Sequence, residues 1–180
     1  MSDDFLSRLG LECGTDKATW HEYTPFYDKL LSGKLAEYTK ILELGIYRGE
    51  SLRMWQEYFD KAKVTGLDWD QSVVDAARQL DPHISAFQVD CGSAQALNAW
   101  LTRAPAFPEF DLIVDDASHK KAHQTTALRT LWPHLNVGGT YIVEDAEVEG
   151  FHLDPPDMGV PHCVFRAKSG GVSVCYFKGW

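Results

Sequence analysis

Apolar and polar positions along this chain alternate between two periods. Lys40 to Leu44 is a short apolar run, KILEL, that stops at Gly45 and reads as a buried strand. Between Ser51 and Phe59 the apolar residues Leu52, Met54, Trp55, Tyr58 and Phe59 recur at helical spacings, and Val64 to Leu67 returns to a strand signal ending in Asp68. The alternation continues with a helix over Gln71 to Leu80, its apolar side made by Val73, Val74, Ala77 and Leu80. A strand over Ile84 to Val89 then ends at Asp90. Ser93 to Arg103 reads as a helix stopped by Pro105 and Pro108, Asp111 to Val114 as a strand followed by Asp115 and Asp116, and His119 to Leu135 as mostly helical. A turn at Asn136-Val137-Gly138-Gly139 leads into a fifth strand, Thr140 to Val143, ending in Glu144 and Asp145.

Five strands alternating with helices predict an α/β class protein, a doubly wound, mostly parallel sheet with helices on both faces. Two further strand-like runs, His162 to Lys168 and Val172 to Lys178, flank Ser169-Gly170-Gly171 and predict a C-terminal antiparallel hairpin, seven strands in all. Asp154-Pro155-Pro156-Asp157 marks a loop before that hairpin. A length of 180 residues suits one domain with a single core. Residues 1–39 read as an N-terminal cap of helices and loops, 40–145 as the core, 146–158 as a candidate lid and 159–180 as the closing hairpin.

In a sheet of this kind ligands bind outside the carboxyl ends of the strands, and here those ends carry acids or glycines. Glu43-Leu44-Gly45-Ile46-Tyr47-Arg48-Gly49-Glu50-Ser51 joins the first strand to the first helix of the alternation. Gly45 and Gly49 allow a tight turn and close backbone approach, and the helix start presents free amides. Tyr47 occupies the middle glycine position of the dinucleotide fingerprint, and no Walker sequence is present, so pyrophosphate is disfavoured. Asp68 lies about 20 residues past the loop, where an acid meets ribose hydroxyls. Asp90 is placed for an adenine amine. Glu43 has two readings, an acceptor for an amino group of the ligand or a brace for the loop.

Charge and cysteines narrow the classes. With 17 Lys+Arg against 26 Asp+Glu the formal charge is -9, which works against the phosphate neutralisation nucleic-acid binding needs. No apolar run approaches the roughly 20 residues of a membrane span, and the start lacks a secretory pattern, so the expected location is cytoplasmic. Cys13, Cys91, Cys163 and Cys175 show no metal spacing or disulfide framework and read as reduced thiols. His123, His134, His152 and His162 show no ligand spacing.

Asp115, Asp116 and His119 follow the fourth strand as DDASH, and Glu144 and Asp145 follow the fifth as VEDA. Adjacent parallel strands would gather these acids beside one imidazole, a crowding that is costly without a cation. Hard oxygen donors select Mg²⁺ or a similar ion. The other reading makes the acids helix caps and His119 a surface residue.

The pattern E-L-G-x-Y-x-G-x-S resembles the first motif of class I S-adenosylmethionine-dependent methyltransferases, Rossmann-like enzymes, in the form seen in catechol O-methyltransferases. Gly45, Tyr47, Gly49 and Ser51 match it. Across GTDK, ELGIYRGES, GLDWD, DDASH and NVGGTYIVED, most of residues 14 to 145, the chain is similar to the metal-dependent sugar O-methyltransferases of macrolide and related natural-product pathways. The resemblance implies S-adenosylmethionine over the glycine loop, Asp68 on its ribose and Trp69 against its adenine, although Trp69 also reads as an ordinary core aromatic. It implies Asp116, Glu144 and Asp145 as metal ligands and His119 as general base, with Asp115 facing the cofactor or orienting the site. Thr15, Asp16, Lys17, His21 and Tyr23 would lie over cofactor and substrate; Thr15 and Asp16 read equally as helix caps.

The expected function is therefore Mg²⁺-dependent O-methylation of a hydroxyl on a small molecule, a sugar or a sugar-bearing natural product. Two alternatives stay open: a metal-independent O- or N-methyltransferase, and a non-catalytic cofactor-binding subunit. The resembling enzymes carry extra segments around the acceptor. Here Glu147 to Asp157 is the candidate lid, and a second copy of the chain in a homo-oligomer is the other candidate for closing the pocket.

Overall fold

The computed structural model describes residues 4–103, 109–146, 155 and 159–179. Pro105, Pro108 and, apart from Pro155, the candidate lid from Glu147 to Asp157 lie outside the described residues. Three short helices come first: α1 (Phe5–Cys13), α2 (Asp16–Thr19) and α3 (Thr24–Leu31). α1 begins where Asp4 accepts from the Ser7 amide and stops at Gly14, whose left-handed φ of 81° suits the residue. The alternation then runs β1 (Lys40–Leu44), α4 (Glu50–Tyr58), β2 (Lys63–Asp68), α5 (Gln71–Leu80), β3 (Ser85–Gln88), α6 (Ala94–Arg103), β4 (Phe110–Asp115), α7 (Lys121–Leu131) and β5 (Leu135–Val143). The hairpin of β6 (His162–Arg166) and β7 (Val172–Phe177) closes it.

The seven strands form one sheet in the order β3-β2-β1-β4-β5-β7-β6. β1 to β5 pair in parallel, and β7 runs antiparallel to both β5 and β6. This is the expected α/β architecture, with the hairpin added at one edge. Two apolar layers hold it. Ile41, Val64, Leu112 and Ile142 meet Leu52, Trp55, Val74 and Ala77 of α4 and α5, together with Leu6, Tyr23, Tyr27 and Leu31 of the N-terminal segment. On the other face Leu42, Leu67, Ile113 and Tyr141 meet Leu97 and Leu101 of α6 and Ala127, Leu128 and Leu131 of α7. With both faces covered, strands read as unbroken apolar runs rather than alternating ones. Among the described residues no helix is long and apolar enough to cross a membrane.

Two elements differ from expectation. The residues expected as a turn, 136–139, belong to β5, and the reason is a bulge. Phe110 pairs with Leu135 and Leu112 with Thr140, so β5 carries extra residues between these pairs. Gly138 takes a φ of 82° there, and its carbonyl accepts from the Tyr38 hydroxyl at 3.0 Å. The glycine pair marks an irregularity within a strand. His119, expected at the start of a helix, precedes α7 and has a left-handed φ of 58°.

Trp55 is fully buried between α4 and the N-terminal helices, its ring 6.1 Å from Tyr27 and 6.3 Å from Phe59. Trp55→Ala is expected to cost about 3–5 kcal/mol, read as a lower urea midpoint at unchanged slope.

Candidate cofactor and metal site

The strand order turns back between β1 and β4, the place where a crevice opens beyond the carboxyl ends. β1 runs out into Gly45 at a φ of 88°, and a Cβ there would overlap the Asp116 carbonyl oxygen. Glycine is what lets the loop pass so close to the end of β4. The Ile46 amide donates to Asp68 Oδ2 at 2.9 Å, and the Asp116 amide donates to the Leu44 carbonyl at 2.9 Å. Gly49, at a φ of 79°, begins α4, and no side chain caps that helix. Its first-turn amides therefore remain for a ligand or water.

A cavity of about 370 Å³ lies along this loop, with Ile46, Tyr47 and Asp68 on one side and Asp116, His119 and Asp145 on the other. Trp69, largely exposed, stands at its end and also borders a larger groove of about 1190 Å³ that takes in Asp90 and Ser118. Asp90 Oδ1 accepts from the Gly92 amide at 2.9 Å. Thr15, Asp16 and His21 border the cavity from the N-terminal segment.

Behind the loop the acids meet a cation. Lys17 is fully buried, with Nζ 2.6 Å from Asp116 Oδ2, 2.8 Å from Glu144 Oε2 and 3.2 Å from Glu43 Oε1. Burial works against its charge, but Asp116, Glu144 and Glu43 outweigh this and hold its pKa well above the usual lysine range. Burial in turn raises Glu43 and Glu144, with Lys17 opposing. Glu43 Oε2 accepts from Ser51 Oγ at 2.9 Å, and Glu144 Oε1 accepts from the Tyr27 hydroxyl at 3.0 Å.

Toward the cavity the second oxygens are turned outward. Asp116 Oδ1 is 3.6 Å from His119 Nε2, and Asp145 Oδ2 is 3.3 Å from His119 Nδ1. Asp145 Oδ1 accepts from the Tyr23 hydroxyl at 2.6 Å. Ligand atoms of Asp116, His119 and Asp145 all lie within 4.8 Å of one another, all three residues half-buried, which fits a small hard cation with open positions. Asp145 raises the His119 pKa above 6.5, with burial opposing and Asp116 adding to the rise. Burial disfavours the Asp145 charge, yet His119 and Tyr23 prevail and bring it down to about 2.

The structure thus brings Asp116, His119 and Asp145 together, and gathers Gly45, Tyr47, Ser51, Asp68 and Trp69 along the same cavity. Glu144, which the resemblance implies as a third ligand, is turned inward onto Lys17 and Tyr27 and is not in that cluster. Glu43 sits behind the loop, bonded to Ser51. Asp115 is buried outside the cavity, where burial pushes its pKa up to about 7, partly offset by the Ala117 amide. Lys17 lies under the acids rather than over a ligand, and Thr15 caps α2. Sequence reasoning missed Tyr27, Ser173 and Gln124. The Tyr27 hydroxyl donates to Glu144 and is in hydrogen-bond contact with the Ser173 hydroxyl, and Gln124 donates to the Glu144 carbonyl at 2.9 Å. Their residue types fit core or surface equally well, so only the fold identifies them.

The sequence pattern of a methyltransferase domain matches residues 42–146. The chain is 34% identical over 149 residues to the 8-demethyl-8-alpha-L-rhamnosyl tetracenomycin-C 2'-O-methyltransferase of Streptomyces olivaceus, covering 79% of this chain and 38% of the relative. It is 35% identical over 149 residues to the mycinamicin VI 2''-O-methyltransferase of Micromonospora griseorubida, covering 78% of this chain and 35% of the relative. Among solved structures, the MycE methyltransferase of the mycinamycin biosynthetic pathway, in complex with Mg, S-adenosylhomocysteine (SAH) and mycinamycin VI, superposes with a TM-score of 0.76 at 26% identity. That match covers 97% of this chain and 54% of that one. The chain therefore spans well under two thirds of each of these proteins.

Gly45→Ala is expected to destabilise the protein by about 1–3 kcal/mol, because it adds a clash to a strained φ, and to lower the melting temperature accordingly. Asp145, ionised in the fold down to about 2, contributes stability that is present above its unfolded pKa of about 3.9 and lost as pH falls toward 2. In an acid titration followed by circular dichroism, Asp145→Asn should be less stable than the parent at pH 5 and converge with it near pH 2.

Proposed function

Because the chain belongs to the methyltransferase-domain family, we propose that it transfers the methyl group of S-adenosylmethionine to a hydroxyl of a sugar or sugar-bearing natural product, with Mg²⁺ at the acidic corner. The observation that carries this reading is that the Gly45–Ser51 loop and the Asp116–His119–Asp145 cluster open on one cavity. The relatives named as sugar O-methyltransferases, and the MycE complex with Mg and SAH, support the substrate class and both ligands.

The residues divide the work by position. Asp68 fixes the Ile46 amide and hence the shape of the loop, with oxygens at hand for ribose hydroxyls. Trp69 and Asp90 border the groove where an adenine would continue from the loop. Asp116 and Asp145 offer carboxylate oxygens to the cation from the ends of adjacent strands. When bound, the cofactor supplies the electrophilic methyl group and the cation lowers the pKa of the acceptor hydroxyl. Asp145, on Nδ1, orients the His119 ring, so Nε2 is the atom that takes the hydroxyl proton. Tyr23 holds the other Asp145 oxygen and keeps that ring support from swinging away.

One observation favours a metal-free variant of the reading. Lys17 already neutralises Glu144 and one oxygen of Asp116, leaving fewer carboxylate oxygens for an ion. Chelation decides between them. With radiolabelled S-adenosylmethionine and a panel of glycosylated polyketide acceptors, EDTA should abolish transfer and added Mg²⁺ restore it; transfer that persists in EDTA would mean His119 works alone. His119→Ala should lower kcat by about 10²–10⁴-fold, while calorimetry finds SAH bound within about threefold of the parent. Loss of SAH binding in that variant would instead place His119 in the cofactor site.

A further inference from the structure

Lysine is among the side chains least often fully buried, and then only when paired. Lys17 is fully buried, and its place is set by backbone on both sides. Thr15 caps α2 just before it, and the Tyr23 amide donates to its carbonyl at 2.8 Å. The ammonium ends up beneath the carboxyl ends of β1, β4 and β5, touching one acid from each. Two of those acids have a second hold on the far side: Glu43 on Ser51 and Glu144 on Tyr27. Asp116 is different. Its Oδ2 is on Lys17, and its Oδ1 faces His119 and the cavity.

We propose that Lys17 is a positioning residue, the resident cation of the acidic corner, which acts through Asp116 to set the charge that a divalent ion meets between Asp116 and Asp145, beside His119. The inference rests on the reading of those two carboxylates as a metal site. The affinity of an oxygen-donor site for a hard divalent ion follows the charge of its ligands and their rigidity. An ammonium hydrogen-bonded to one ligand carboxylate and to Glu144, with Glu43 paired at 3.2 Å, subtracts from that charge. It also decides which Asp116 oxygen turns outward. A residue with only a scaffolding role has the opposite signature, since loosening a core weakens a metal site rather than strengthening it.

The test titrates Mn²⁺ into the whole chain without cofactor and reads free and bound ion by electron paramagnetic resonance. Lys17→Met should bind Mn²⁺ at least about tenfold more tightly than the parent, with an altered bound-ion spectrum. Lys17→Met/Glu43→Gln removes one charge of each sign and should return the affinity to within about threefold of the parent. A Lys17→Met chain that folds only with Mn²⁺ present supports the proposal, because the ion then supplies the missing charge. If it does not fold even then, the charge-matched double variant decides: an affinity within threefold supports the proposal and a larger shift overturns it. Unchanged or weaker Mn²⁺ binding by a folded Lys17→Met overturns the role of Lys17 alone. A parent chain that binds no Mn²⁺ overturns the metal reading, and this inference with it.

Discussion

Three carboxylates and one ammonium share a buried space at the carboxyl edge of the sheet, and the molecule is arranged around satisfying them. Glu43, Asp116 and Glu144 arrive there because β1, β4 and β5 are neighbouring parallel strands whose ends coincide. Removing charges from water costs several kcal/mol each unless partners and hydrogen bonds replace it. Three of the replacing groups come from one short stretch of the N-terminal segment: Lys17, Tyr23 and Tyr27 each reach an acid at the end of β4 or β5. α1 to α3 are therefore more than a cover for the apolar layer beneath them. They are the counter-charge and donor layer without which the strand ends could not carry these acids.

That arrangement sorts the acids by depth. Glu43 and Glu144 are held on both oxygens and point into the protein, whereas Asp116 and Asp145 each spend one oxygen inward and keep the other toward His119. A methyltransferase needs a cofactor cradle and an acceptor-activating corner at a fixed separation. Here the glycine loop and the acids proposed for those two roles hang on the same strand ends, because the Gly45 loop packs against the Asp116 carbonyl. Movement at one corner is thus resisted by the other through backbone contacts as well as through charge.

Much of this was legible in the sequence. The alternation of apolar runs with helical periods located every strand of the parallel sheet, since buried strands of this kind need unbroken apolar runs and the acids and glycines after them stand at its carboxyl edge. What misled was Gly138-Gly139, where turn chemistry served a bulge, and His119, whose left-handed backbone no periodicity encodes. The site was legible as a set of residue types converging on one edge. The direction of each side chain was not. Glu144 and Asp145 are consecutive and equally acidic, and a strand end sends them to opposite sides, one into the core and one to the cavity. Lys17 in GTDK had no pattern to mark it as buried, because the acids it hydrogen-bonds, Asp116 and Glu144, lie 99 and 127 residues away in the chain.

Three cavity residues other than glycine, Tyr47, His119 and Asp145, have left-handed backbones, with φ of 51°, 58° and 48°. Such conformations cost on the order of 1–3 kcal/mol each and last only where the surroundings enforce them. The fold is therefore least relaxed where it would do its chemistry. Selection for thermal endurance alone would replace these residues with glycine or asparagine, and the sturdiest version of this backbone would be one with a blunted cavity.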